Sequence, residues 1–169
     1  MRKSRFRMMP RPSHAAGLVL AAIVLTAGSK RPETLYAHAQ AGAQITGAAI
    51  SKVGRDTRKL TVSAQTPAGS SSASGEVQFI HNSPAGLSRF RGSVSCLSIS
   101  SGTVQISGSI AKGETATGGL LDGKSYAFTI NTSGGAQSFS LPSVGDGIGA
   151  CSGGRGEMVP VTEDGFKVN

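Results

Sequence analysis

The chain has 169 residues, 17 of them lysine or arginine against 9 acids, giving a formal charge of +8. It has 24 glycines, two cysteines and no tryptophan, and it lacks long helix-period runs of Leu, Glu or Lys, which argues against a helical bundle. The charge excess reads as a nucleic-acid surface only until its distribution is considered, because seven of the basic residues fall within the first 39.

Residues 1–39 read as a helical signal peptide. Arg2, Lys3, Arg5, Arg7 and Arg11 make a basic start, and Ala15 to Gly28 follows with 14 uncharged, mostly apolar residues. A bilayer span needs about 20 apolar residues, so this run is short for an anchor and suits a cleaved leader. Ala37-His38-Ala39 meets the small-x-small rule and places the cut between Ala39 and Gln40. An uncleaved anchor is the alternative. The portion from Gln40 keeps ten basic and eight acidic residues, and no nucleic-acid partner is expected of it. Membrane contact is expected only through the leader before cleavage.

Residues 40–169 are the length of one domain. Short alternating segments separated by Gly, Ser and Asn clusters predict an all-β fold. A single antiparallel sandwich or flattened barrel of about seven to nine short strands is expected, with its core over about residues 44–161. Gln44 to Lys52 is a weak first strand. The basic cluster Lys52, Arg55, Arg58 and Lys59, interrupted by Asp56, reads as a solvated loop. Lys59 to Gln65 alternates strictly and is a strand, Thr66 to Ser74 a loop, and Glu76 to His81 a strand that turns at Asn82 to Gly86.

Phe90 to Ile110 is the organising hairpin. Val104, Ile106 and Ile110 share one face, and Ser100, Ser101 and Gly102 supply the turn. Gly108 on that apolar face lets a backbone or a large side chain approach closely. In the first strand Phe90, Gly92, Val94 and Cys96 share one parity whereas Leu97 and Ile99 take the other. This predicts a β-bulge between Cys96 and Leu97 or a strand buried on both faces.

Lys112 to Gly123 reads as a polar connection, and Ser125 to Asn131 as a strand with Tyr126, Phe128 and Ile130 inward. Thr132 to Gly135 turns into a strand at Gln137 to Leu141. Gly145 to Gly156 is a glycine-dense loop, Glu157 to Val161 an edge strand because Pro160 cannot donate to a ladder, and Thr162 to Asn169 a loosely held tail. In an exported chain the two cysteines, Cys96 and Cys151, imply one disulfide. A redox or metal pair would want CxxC spacing and nearby histidines.

Several segments imitate chemistry. Gly118 to Ser125 satisfies the phosphate-loop pattern G-x-x-x-x-G-K-S, but that motif needs a helix after the loop, and Tyr126 to Ile130 is strand-like. No nucleotide is expected. Gly145 to Gly149 has no βαβ unit around it. Asp146, Glu163 and Asp164 could offer oxygen ligands without calcium-loop spacing, so no metal and no cofactor are expected. His81 is the single histidine after residue 39, beside Asn82 and Ser83, and without a G-x-S-x-G elbow it reads as a strand-end residue. Asn131-Thr132-Ser133 fits the glycosylation pattern, relevant in a eukaryotic secretory route.

The segments Ser74 to Phe79, Val94-Ser95-Cys96-Leu97 and Ile106-Ser107-Gly108-Ser109-Ile110, with the later cysteine in a glycine-rich loop, resemble a loose family of exported bacterial β-rich domains without assigned function. The likeness spans most of Gln44 to Cys151. It implies one compact β-domain and brings no catalytic residues. The expected role is structural or binding, at the cell envelope or secreted. A carbohydrate- or polymer-binding module is the first alternative and a small hydrolase centred on His81 the second.

Overall fold

The structure is a computed structural model and describes residues 42–70 and 72–169. The leader read at residues 1–39, with its cut between Ala39 and Gln40, lies outside the described residues. Among the described residues no helix forms, and none is long and apolar enough to cross a membrane. The chain folds into ten strands: β1 Gln44–Val53, β2 Asp56–Gln65, β3 Ser74–Ser83, β4 Gly86–Ser100, β5 Thr103–Glu114, β6 Ser125–Asn131, β7 Ser138–Ser140, β8 Ser143–Gly145, β9 Met158–Pro160 and β10 Glu163–Val168. The expected all-β class is the observed one.

All pairings between strands are antiparallel, and they make a single sheet in the order β10-β1-β2-β3-β4-β5-β6-β7-β9, with β8 also on β6. Strand alternation sends one face inward. Leu60, Val62, Val77, Phe79, Phe90, Val104, Ile106, Tyr126, Phe128 and Ile130 form one buried cluster there. The sheet curls until its two halves meet: the rings of Phe79 on β3 and Phe128 on β6 lie 5.6 Å apart, although β4 and β5 stand between those strands. Of the two expected architectures, this curled sheet matches the flattened barrel.

A side chain adds to the main-chain bonds of Val161 to Gln137 and Thr162 to Ile50 that close the curl. Only Val161 and Thr162 separate β9 from β10, the two ends of the strand order. Gln137, next to β7, accepts the Phe166 N–H (2.7 Å) and donates Nε2–H to the Phe166 carbonyl (2.9 Å), so its amide substitutes for a neighbouring strand. Gly165 makes room for it, since a Cβ there would lie 2.6 Å from Gln137 Oε1. Two partly buried hydrogen bonds at about 1 kcal/mol each predict that Gln137→Ala lowers unfolding free energy by about 2 kcal/mol. Urea denaturation and faster amide exchange confined to β10 and β1 would register it; unchanged exchange in β10 would refute the closure.

Four expectations are corrected. The last residues are not a loose tail, because β10 pairs with β1 from Ile45–Val168 to Ile50–Glu163 and buries Phe166. Arg58 is not in a solvated loop: only Gly54 and Arg55 form the turn, and the inward parity of β2 leaves Arg58 8% exposed. The bulge sits at Ser95, which has no partner between Val94–Gly108 and Cys96–Ser107, and a second one sits at Ala111 between Lys112 and Ile110. The connection read from Lys112 begins later, since β5 runs on to Glu114.

The central turn forms at Ser101 and Gly102, both with positive φ (49° and 78°), the pattern of a tight hairpin turn matched to strand twist. Gly108 does accept a large neighbour. Tyr126 donates its hydroxyl to the Ser93 carbonyl (3.0 Å), and a Cβ on Gly108 would stand 2.9 Å from that hydroxyl oxygen. Burial raises the Tyr126 pKa far above its ordinary value.

Candidate functional site

The staple comes first, because it covers one face of the sheet. Cys96 on β4 and Cys151 in the glycine-rich loop are bonded as a disulfide, with Cα atoms 5.3 Å apart. The Cys151 N–H donates to Ser107 Oγ (2.9 Å) and Thr129 Oγ1–H donates to the Gly154 carbonyl (3.1 Å), so the loop lies across β5 and β6. Only glycine fits this approach: a Cβ on Gly154 would reach within 3.0 Å of the Ala127 carbonyl oxygen and of Phe128 Cα.

A polar row crosses the core-facing side of β1 to β4. Ser51, Arg58, His81 and Ser88 are successive cross-strand partners. Arg58 Nη2–H donates to Asp56 Oδ2 (2.7 Å), and His81 Nε2 stands 3.5 Å from the same oxygen. Ser51 Oγ and the Arg58 Nε and Nη1 atoms are buried with no hydrogen-bond partner among the described residues. His81 therefore has an acid beside it. It has no serine: Ser83 Oγ binds the Gly86 carbonyl and Ser88 Oγ accepts the Ala116 N–H, and no hydroxyl is bonded to the imidazole among the described residues.

The outward face of β2 to β5 is different, because it is open. Register places Thr61, Gln78, Arg91 and Lys112 in one row and Lys59, Ile80, Arg89 and Glu114 in the next. Two clefts of about 400 and 660 Å³ lie on this face and share Gln78 and Arg91 in their linings. Arg89 is held to Glu114 (2.9 Å) and Lys112 to Asp122 (3.1 Å). The Gly113 N–H, and after it the Lys112 ammonium, hold the Asp122 carboxyl below its usual pKa. Arg91 and Gln78 have no side-chain partner among the described residues.

The phosphate-loop look-alike becomes the rim of this groove. Leu120 bridges back to Glu114 and stands 72% exposed, and the segment leads into strand β6. Asp146 faces Lys124 at 3.5 Å, Glu163 pairs with Lys52 and Asp164 takes a positive φ of 61°. Among the described residues no three His, Cys, Asp or Glu side chains gather as metal ligands would. Asn131 uses its Oδ1 to accept from the Ser133 N–H and hydroxyl.

Comparison with known protein families, curated proteins and solved structures finds no match for this chain. Sequence reasoning named Cys96, Cys151 and His81 but passed over Arg91, Gln78, Arg89 and Lys112. The available signal was their parity, since each is a polar residue at an outward position of an alternating strand.

Proposed function

We propose that this chain is exported, cut before Gln40, and acts at the cell envelope or in the medium as a non-enzymatic binding domain. The observation that carries the binding role is the open groove of β2 to β5, where Arg91 and Gln78 have no side-chain partner among the described residues. Their neighbours Arg89 and Lys112 pair with Glu114 and Asp122, whereas these two face solvent in a concavity that a ligand would fill. The compartment is supported by the Cys96–Cys151 bond, because such bonds persist where the surroundings are oxidising. The likeness to exported bacterial β-rich domains points the same way.

A sugar platform built on stacking has little to work with here, since Phe79, Phe90, Tyr126, Phe128, Phe139 and Phe166 are all buried. Binding would rest on hydrogen bonds and charge. The hydrolase reading has Asp56 beside His81 in its favour, but it needs a nucleophile that this geometry does not bring to the imidazole.

Intact-mass analysis of the secreted protein under non-reducing conditions tests the compartment. A chain starting at Gln40 and two protons lighter than its reduced form is expected. Free thiols, or protein retained in the cytoplasm at full length, would overturn the export reading.

A further inference from the structure

We propose that the groove binds a linear polysaccharide bearing carboxylates, and that Arg91 receives the acid group. The proposal rests on the binding role given above and names its ligand class. Three cations reach this face from β4 and β5, but Arg89 is neutralised by Glu114 and Lys112 by Asp122. In the first cleft the charge left without an ion pair among the described residues is that of Arg91. A guanidinium is planar, always charged, and matches a carboxylate with two parallel hydrogen bonds. Its neighbours suit the remainder of a sugar chain. Thr61, Ser63, Gln78 and Ser93 present hydroxyls and an amide to the cleft, groups that exchange hydrogen bonds with sugar hydroxyls. Leu120 at the rim offers an apolar contact for a ring's C–H face.

An acidic peptide fits less well. Peptides commonly add to a sheet through an open edge, and β2 to β5 are interior strands whose backbone groups are already paired on both sides. The face also spans four strands, roughly 14 Å at the usual strand spacing, so it has room for more than one sugar unit. Glu76, which lines the second cleft, repels a further carboxylate there. Removing its charge should tighten binding.

Affinity electrophoresis of the purified, disulfide-intact protein through gels containing polygalacturonate, neutral dextran, dextran sulfate or poly-glutamate tests this. Retardation by polygalacturonate is expected, with affinity falling tenfold or more in Arg91→Ala, falling less in Arg91→Lys, rising about two-fold in Glu76→Gln, and unchanged in Lys167→Ala on exposed β10. Arg91 is exposed, and thermal melts of both Arg91 variants confirm that the sheet is intact; should Arg91→Ala fail to fold, Arg91→Lys and Gln78→Ala carry the comparison. Binding to neutral dextran that survives Arg91→Ala would keep the binding role and overturn the carboxylate. Arg91-dependent binding to poly-glutamate as strong as to polygalacturonate would overturn the polysaccharide in favour of an acidic peptide. Binding only to dextran sulfate, or to every polyanion without regard to Arg91, would overturn the site. No retardation in any gel would overturn the binding role as well.

Discussion

Breaking the Cys96–Cys151 bond should cost about 4 kcal/mol of stability and lower the melting temperature by about 15 °C. The bond joins residues 55 apart in sequence, and a closed loop of that length removes about this much free energy of chain disorder from the unfolded state. The folded side adds to the effect. Without the bond, the loop that lies over β5 and β6 keeps only contacts such as Cys151 N–H to Ser107 and Thr129 to Gly154. Cys151 also holds a positive φ of 52°, a conformation that L side chains adopt at a cost. Cys96→Ser/Cys151→Gly should therefore be about 1 kcal/mol more stable than Cys96→Ser/Cys151→Ser, because glycine adopts that conformation freely. Calorimetry of the oxidised protein and the two double variants provides the comparison. A shift of a degree or two would refute the contribution of the bond, and identical melts for the two variants would refute the conformational cost at Cys151.

What the sequence made legible follows from locality. The period-2 pattern of Val104, Ile106 and Ile110 and the turn read at Ser100 to Gly102 depend on neighbouring residues, and the hairpin formed, with its turn narrowed to Ser101 and Gly102 and its bulge moved to Ser95. Gly108 was legible for the same reason: a glycine on an apolar strand face implies a close neighbour, and Tyr126 is that neighbour. The disulfide needed only a count of two cysteines in a chain read as exported. By contrast β10 carries charges at Glu163, Asp164 and Lys167, and its pairing with β1 joins opposite ends of the domain, a contact no local pattern announces. Arg58 was misread because a charge beside other charges suggests solvent, whereas its parity in β2 aims it inward with Asp56 as counter-ion. The groove was least legible. Gln78, Arg91 and Lys112 belong to three strands, and only the register sets them in one row.

The core makes the second large prediction: Phe128→Ala should destabilise the protein by about 4 kcal/mol, and Phe128→Leu by about 1.5 kcal/mol or less. Phe128 is fully buried, and its ring lies 5.6 Å from Phe79, 6.0 Å from Phe90 and 5.8 Å from Tyr126. Removing it leaves a cavity between the two halves of the sheet. The surrounding strands cannot collapse into that cavity, because each is tied by backbone hydrogen bonds to its neighbours. The contact between Phe79 and Phe128 has a further use. In an open, flat sheet β3 and β6 would be separated by two strands, and Phe79→Ala and Phe128→Ala would have additive effects. In the curled sheet the rings touch, and a double-mutant cycle by urea denaturation should give a coupling of about 1 kcal/mol. Additivity within about 0.3 kcal/mol would mean that the halves do not meet. The inner face would then have no common core.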